Sequence, residues 1–337
     1  MATISGNVVS LTDWVKRLDP DGKTATVIEL LAQTNEVLMD MAWMEGNLPT
    51  GHRVTQRSGL PATAFRLLNK GTAPSKSTTV QIDEACGMLE AWSEIDKDLV
   101  ELNGNAGAFR LSEARAFIES MNEKQVQTLF YGNSGLNPEQ YTGLSPRYNA
   151  IAGATNGSQV LSGGAVANGN SSIWLVCWGE QQTYGIFPKG SKAGLQHDDL
   201  GLQVVENVAG IGGDRMLAYR ERWQWKCGIA VKDWRFNVRI ANINIANLVT
   251  KAPTAANLFD LMIKALHRIP TNGLRMTRPV FYMNRTVREM LDIQARDAVQ
   301  AGGQLKYECV DGEWITTFRG IPLRVVDQLI ENEALVV

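Results

Sequence analysis

This chain holds few of the residues that usually carry chemistry. Three histidines stand in 337 residues: His52, His197 and His267. The HExxH, GxSxG, SxxK and EF-hand patterns do not occur, so the common signatures of zinc proteases, serine hydrolases and calcium loops are missing. The four cysteines, Cys86, Cys177, Cys227 and Cys309, lie far apart and form no CxxC pair. Their apolar and aromatic neighbours make them expected buried thiols in a reducing compartment. No apolar run approaches the length of a membrane span. The opening MATISGNVVSLTDW has neither a basic n-region nor an apolar h-region and does not read as a secretory signal. The sequons at Asn156, Asn170 and Asn284 therefore carry no expectation of glycosylation. Net charge is also scarce, at -2, too balanced for a protein that coats nucleic acid.

What is present is a globular composition. Hydrophobic residues make up 44% and charged residues 20%, enough apolar material for one large or two ordinary domains. The best-marked helix is Leu111 to Tyr131. Its apolar stripe is Leu111, Ala114, Phe117, Ile118, Met121, Val126, Leu129 and Phe130, with Glu113, Arg115, Glu119, Glu123 and Lys124 mostly off it. Ser112 suits the N-cap, and Gly132 and Asn133 suit the stop. A helix of that length spans about 30 Å, the width of a small domain.

Before that helix, residues 1–23 read as an arm ending in the turn Asp19-Pro20-Asp21-Gly22. A helix is expected over Ala25 to Glu45, opened by the capping-box pair Thr26 and Glu29 and packed through its methionine-rich side. Gly46 to Thr79 carries Arg53, Arg57, Arg66, Lys70 and Lys76 and no acid. Its RVTQR and AFRLL stretches are expected strands, with Ser58-Gly59-Leu60-Pro61 as the tip of a hairpin. A two-stranded hairpin cannot bury a core alone, so it must lie on something else. Val80 to Leu102 has the opposite sign, with Asp83, Glu84, Glu90, Glu94, Asp96, Asp98 and Glu101 against Lys97. It reads as extended structure with a helical turn near Ser93 to Leu102, and Asp83-Glu84 reads as part of one face of a charge interface.

After the long helix, Asn149 to Asn170 is rich in Gly, Ala, Ser and Asn and reads as a surface loop. Ser172 to Trp178 reads as a buried strand, and Gly185 to Gly201 as a loop. Tyr219 to Ile245 alternates, with Trp223, Trp225 and Cys227 on one side and a bulge or turn near Lys232-Asp233. The C-terminal part reads as α/β. It comprises a helix Asn257 to Arg268, a strand Pro279 to Met283, a helix capped by Asn284 to about Ala298, and a hairpin of Leu305–Cys309 and Trp314–Phe318 around Asp311-Gly312. A last strand is expected over Leu323 to Asp327. One constellation holds ligating residue types, His197-Asp198-Asp199. Contiguous residues rarely converge on one ion, so a solvated loop is the stronger reading there.

Five stretches, in order, resemble the major capsid proteins of tailed bacteriophages. They are GHRVTQRSGLP with PSKSTT, CGMLEAWSEIDKDLVELNGNAGAFRLSEARAFIESM with TLFYGN, GIFPKGSKAGLQHDDLG, DWRFNVRIANI, and GIPLRVVD. They span most of the chain from about residue 46. The resemblance implies an α+β chain with the tailed-phage major capsid fold. An N-terminal arm and helix would occupy 1–45, and an extended β-hairpin loop 46–79. A peripheral domain with spine helix 111–131 would occupy 80–148. Loops and long strands over 149–250 would complete the peripheral sheet and be partly axial, and an axial α/β domain would occupy 251–337.

The same resemblance implies a structural protein rather than an enzyme. Its copies would assemble as hexamers and pentamers of an icosahedral capsid in the virion, built in the host cytoplasm. Packaged DNA would be met only through the inner face, and no cofactor, metal or membrane is implied. The short arm implies a separate scaffolding protein, alongside a portal. Lys70 and Lys76 are loop lysines without matched acid and Asn partners, so no cross-link is expected. The local charge counts then predict that one copy's hairpin docks on the acidic segment of the next. The candidate interface is Arg53, Arg57, Arg66, Lys70, Lys76, Asp83, Glu84, Glu90 and Glu94. Two other readings stand beside this one: a nucleic-acid-binding protein using the basic hairpin, and an enzyme using the 185–201 loop with His197.

Overall fold

The computed structural model describes residues 35–102, 106–153, 155–165, 167–206, 215–270, 277–297, 305–310 and 313–337. The arm over 1–23 and the first part of the expected Ala25–Glu45 helix lie outside the described residues. Only four residues of the remainder are helical. A four-residue helix α1 (Val37–Asp40) ends where Met41 turns extended, at ψ 129°, and strand β1 (Trp43–Glu45) follows. Sheet pairing outweighs the local helical preference of this Met-rich stretch.

The chain continues through β2 (Gly51–Gly59), β3 (Thr78–Ala85), β4 (Gly87–Asp96), α2 (Lys97–Glu101), the long helix α3 (Ala106–Tyr131), β5 (Val160–Ser162), β6 (Asn170–Trp178) and β7 (Thr183–Phe187). It then forms β8 (Leu195–Glu206), β9 (Arg215–Val231), β10 (Asn237–Asn244), α4 (Ile245–Val249), α5 (Leu258–Arg268), β11 (Arg278–Met283), α6 (Arg285–Asp297), β12 (Leu305–Val310), β13 (Glu313–Phe318) and β14 (Ile321–Val325). Two compact units result, and the division falls within α3 at Gln125 and within β9 at Lys226.

The first unit contains Met88–Gln125 and Lys192–Lys226. β8 pairs antiparallel with the first part of β9, from Leu195↔Trp225 to Glu206↔Arg215, and β4 also borders β9. Ile95, Leu99, Val100 and Phe109 form its buried cluster, and Phe117 stacks on Trp223 at 4.9 Å. Two expectations change here. Helix α3 begins at Ala106, so Ser112 lies inside it, and Leu111 and Ile118 of the expected stripe are exposed. The first half of α3 packs through Phe109 and Phe117, while Val126, Leu129 and Phe130 of its second half are fully buried. The expected loop Gly185–Gly201 is a loop only over 188–194. Its ends belong to β7 and β8, because HDDLG finds cross-strand partners on β9.

The second unit is built on β6, buried along its whole length. β11 pairs with β6 antiparallel from Arg278↔Trp178 to Tyr282↔Trp174, and β10 pairs antiparallel along its other edge. Beyond β11 come β14, β13 and β12, with β12 and β13 forming the expected hairpin. β7 pairs with β1 and with Gly228–Val231 of β9. Val160–Ser162, expected within a surface loop, is a strand parallel to β10 with Val160 and Leu161 buried. Helices α5 and α6 set Leu258, Met262, Val287 and Leu291 against Ile173, Leu175 and Phe281. Burying each such side chain contributes about 1.5–3 kcal/mol. Asn284 caps α6 as expected, and Asn257, expected as the first helical residue, caps α5 instead. The Asn257 side chain accepts from the Asp260 N–H at 3.3 Å, and that of Asn284 from the Thr286 N–H at 3.0 Å. Cys177 and Cys227 are buried and in no disulfide, while Cys86 is half-buried, and burial raises its pKa to about 11.

Candidate functional site

The basic segment forms a hairpin, but not the expected one. RVTQR lies in β2 and pairs with β3, from Gly51↔Ala85 to Gly59↔Thr78, with a register shift between Arg57 and Gly59. AFRLL is not a strand. It lies in the irregular tip, residues 60–77, where Pro61, Pro74 and Gly71 interrupt regular pairing. The true partner of β2 is TTVQIDEA, the start of the acidic stretch, so both signs of charge belong to one hairpin.

Close packing and side-chain hydrogen bonds fix the root. A Cβ on Gly51 would meet the Glu84 carbonyl oxygen at 2.0 Å, so only glycine lets the two strands approach. Asn47 acts as a short substitute strand: its Nδ2 donates to Arg53 O at 2.9 Å and its Oδ1 accepts from Arg53 N–H at 2.7 Å. Gln56 Nε2 donates to Val231 O and Lys232 O at 3.2 and 2.9 Å. His52 Nδ1 accepts from Asn47 N–H at 3.2 Å. In the neutral ring the proton then sits on Nε2, which faces the Tyr184 hydroxyl at 3.0 Å. Burial, then Lys232, lowers the His52 pKa below its usual value, against a smaller opposing effect of Glu84.

The nine candidate residues separate into three groups. Arg53 and Asp83 form a bidentate pair at 2.5 and 2.7 Å on the exposed face of the hairpin. Asp83 is held below the usual carboxylate range by that hydrogen bond. Glu84, the next residue, points the other way. It is buried and receives Arg147 Nη1 and Nη2 at 2.5 and 2.6 Å. Strand alternation therefore places Asp83 and Glu84 on opposite faces, not on one charged face as their adjacency suggests. In the first unit, Glu90 accepts from Trp92 Nε1 at 2.6 Å and from Gln224 Nε2 at 3.0 Å, and Glu94 pairs with Arg220 at 2.7 Å. Arg220 and Arg222 both lie over the Trp92 ring, at 5.1 and 5.8 Å. Arg57, Arg66, Lys70 and Lys76 are exposed and make no ion pair among the described residues.

Four apolar residues of the tip, absent from the candidate set, are the most conspicuous feature of this surface. Leu60, Leu67 and Leu68 are exposed, and Phe65 is fully so. The signal was in AFRLL itself: an apolar run inside a Pro/Gly-rich segment that has no core to reach. The tip's internal hydrogen bonds include Ser75 Oγ to Ala62 O at 2.7 Å and Lys70 N–H to Leu67 O at 3.2 Å.

His197, Asp198 and Asp199 do not converge. They lie on β8, where His197 stacks on Trp223 at 5.1 Å and faces Glu221 Oε2 at 3.0 Å. Asp198 pairs with Arg222 and Asp199 with Arg110, each at 2.7 Å, and Arg110 also holds Glu221 at 2.6 Å. Among the described residues no group of three His, Cys, Asp or Glu is placed to hold a metal. The three side chains tie strands and helix together within the first unit.

Comparison with known proteins follows the whole chain. A family model described as major capsid protein GP7 matches residues 19–337. A chain in the near-atomic cryo-EM structure of bacteriophage Epsilon15 is similar at 32% identity and a TM-score of 0.79, covering 100% of this chain and 99% of that one. The bacteriophage JBD30 capsid is similar at 11% identity and a TM-score of 0.44, covering 91% and 96%. The holo-SrpI encapsulin of Synechococcus elongatus PCC 7942 is similar at 16% and 0.43, covering 66% and 92%. No curated protein matches.

Proposed function

Since this chain belongs to the major capsid protein GP7 family, and so is a shell subunit of a phage virion, we propose that its copies join as hexamers and pentamers of a closed icosahedral capsid around packaged DNA. The observation that carries this reading is the end-to-end match to the Epsilon15 chain, 32% identical at a TM-score of 0.79. The hairpin supplies a contact element for it. Leu60, Phe65, Leu67 and Leu68 stand in water at the end of an arm whose root is tied to its own subunit, and exposed apolar clusters of this kind are covered in assemblies. A tip that docks on the next copy makes a heterologous contact, which generates a ring when the rotation between copies closes.

Within that contact the charged residues take a secondary part. Arg57, Arg66, Lys70 and Lys76 form the basic rim, and Glu90 and Glu94 of the neighbouring copy remain their proposed counterparts. Arg53, Asp83 and Glu84 serve the hairpin itself. Each rim pair contributes about 0.2–1 kcal/mol and weakens with salt, so the apolar tip carries more of the energy. The long helix α3 takes the spine role in a peripheral domain, and the C-terminal α/β part the axial role. A scaffolding protein, a portal and assembly in the host cytoplasm extend the same reading. Nucleic-acid binding by the hairpin is the weaker alternative, because Arg53 is already paired with Asp83.

Electron microscopy of the purified protein, alone and with its head-assembly partners, tests the proposal. Closed shells built from six-fold and five-fold capsomers are expected. Particles without pentamers, or a protein that stays monomeric in every assembly condition, would overturn it.

A further inference from the structure

The last described stretch of the second unit, residues 326–337, has little regular structure and is gripped from several sides. Glu333 exchanges backbone hydrogen bonds with Asn170 at 2.8 and 3.3 Å. The Asn242 side chain clasps the backbone of Val336 at 2.8 and 2.9 Å, and the Tyr131 hydroxyl accepts from Ile330 N–H at 3.2 Å. The centre of this grip is an ion pair sealed from water: Arg239 is 3% exposed and Glu333 4%. Arg239 Nη2 donates to Glu333 Oε2 at 2.9 Å, and the Ser172 hydroxyl donates to the same oxygen. Tyr131 donates to Glu333 Oε1 at 2.6 Å.

The two partners of that pair are not equivalent. Arg239 stands within β10, where every residue from Asn237 to Ile243 is buried, and its guanidinium lies 5.2 Å over Trp174. It cannot reach water while β10 stays paired to β6. Nor can it shed its charge, because a guanidinium remains protonated in proteins. A lone buried carboxylate can take up a proton instead. Without Glu333, Arg239 keeps two neutral acceptors among the described residues, Ser172 Oγ at 3.1 Å and Tyr148 O at 3.0 Å.

We propose that Arg239 holds the second unit open until Glu333 docks, so that the β6–β10 core closes only in chains synthesised past residue 333. The pair is then an order-of-folding lock. It keeps incomplete chains, which carry the hairpin and the long helix, out of the growing shell. The partner that closes each lock is a segment of the same chain, made 94 residues after Arg239.

Hydrogen exchange on the isolated subunit tests the lock. In Glu333→Ala the amides of β6 and β10 should exchange about 100-fold faster or more, as expected when one member of a buried pair is lost. Adding Arg239→Met, which removes the stranded charge at similar length, should restore most of that protection. Native exchange in Glu333→Ala, or a double variant no better protected than the single, would overturn the proposal. Ribosome-stalled chains separate order from stability. Wild-type chains should resist protease around β6 and β10 only once Glu333 has left the exit tunnel, and Arg239→Met chains earlier. Resistance at the same length in both would equally overturn it.

Discussion

At the root of the β2–β3 hairpin, Glu84 is buried against Arg147, Asn47 pairs with the backbone of Arg53, and Gln56 reaches two carbonyls of its own subunit. At the tip, Phe65, Leu67 and Leu68 lie in water with four exposed cations that make no ion pair among the described residues. Both regions come from one basic stretch of sequence, and their charges do opposite work. Near the root, charge is neutralised within the chain and sets where the hairpin leaves the body. Around the tip, apolar surface and charge stay exposed on the subunit. A hairpin that presents a sticky end must have its direction fixed, or the end would find its own subunit or a random neighbour.

That contrast can be broken first at Glu84. Glu84→Ala leaves the half-buried Arg147 with only the Gly143 and Thr142 carbonyls of its described acceptors and should cost about 2–3 kcal/mol of subunit stability in urea unfolding. Gly51→Ala comes next. Its Cβ would press on the Glu84 carbonyl, and such overpacking should cost about 1–3 kcal/mol, read as a lower melting temperature. Acid should loosen the root by a smaller amount. The folded-state pKa of His52 is lowered, so the unfolded chain binds the proton more readily. This contribution is complete above the ordinary value of 6.5 and is lost as pH falls through the lowered folded pKa. His52→Gln should flatten that part of the stability–pH curve.

Asp83→Ala removes the exposed neighbour of Glu84 and should leave the urea unfolding midpoint almost unchanged. Two adjacent acids would then differ several-fold in effect, which equal losses would contradict. Phe65→Ser with Leu68→Ser should change subunit stability by less than about 0.5 kcal/mol while sharply reducing the yield of closed shells in sedimentation. A loss of subunit stability like that of Glu84→Ala would erase the distinction between root and tip.

The parts legible in the sequence were those with a strong local period or a local stop. β6 reads as buried from SIWLVCW. Helix α5 shows its face through Leu258, Leu261 and Met262, and Asn284 announces the cap of α6. Asp311-Gly312 marks the hairpin between β12 and β13. The pairing of β2 was not legible, because its partner lies beyond an irregular tip whose AFRLL imitates a strand. Charge counting also missed that alternation sends Asp83 and Glu84 to opposite faces. β8 was hidden because HDDLG is polar on both faces and is made a strand only by its pairing to β9. The grip on Glu333 has no period at all. The capsid reading came from resemblance over several stretches, since the candidate surface holds no chemistry that composition or spacing would reveal.

Hydrogen exchange compared between the free subunit and the closed shell tests the central claim most directly. The amides of residues 51–57 and 80–85 should be protected in both states. Those of residues 60–77 should exchange freely in the subunit and become protected on assembly. A tip already protected in the free subunit, or one that still exchanges freely in the closed shell, would contradict the account.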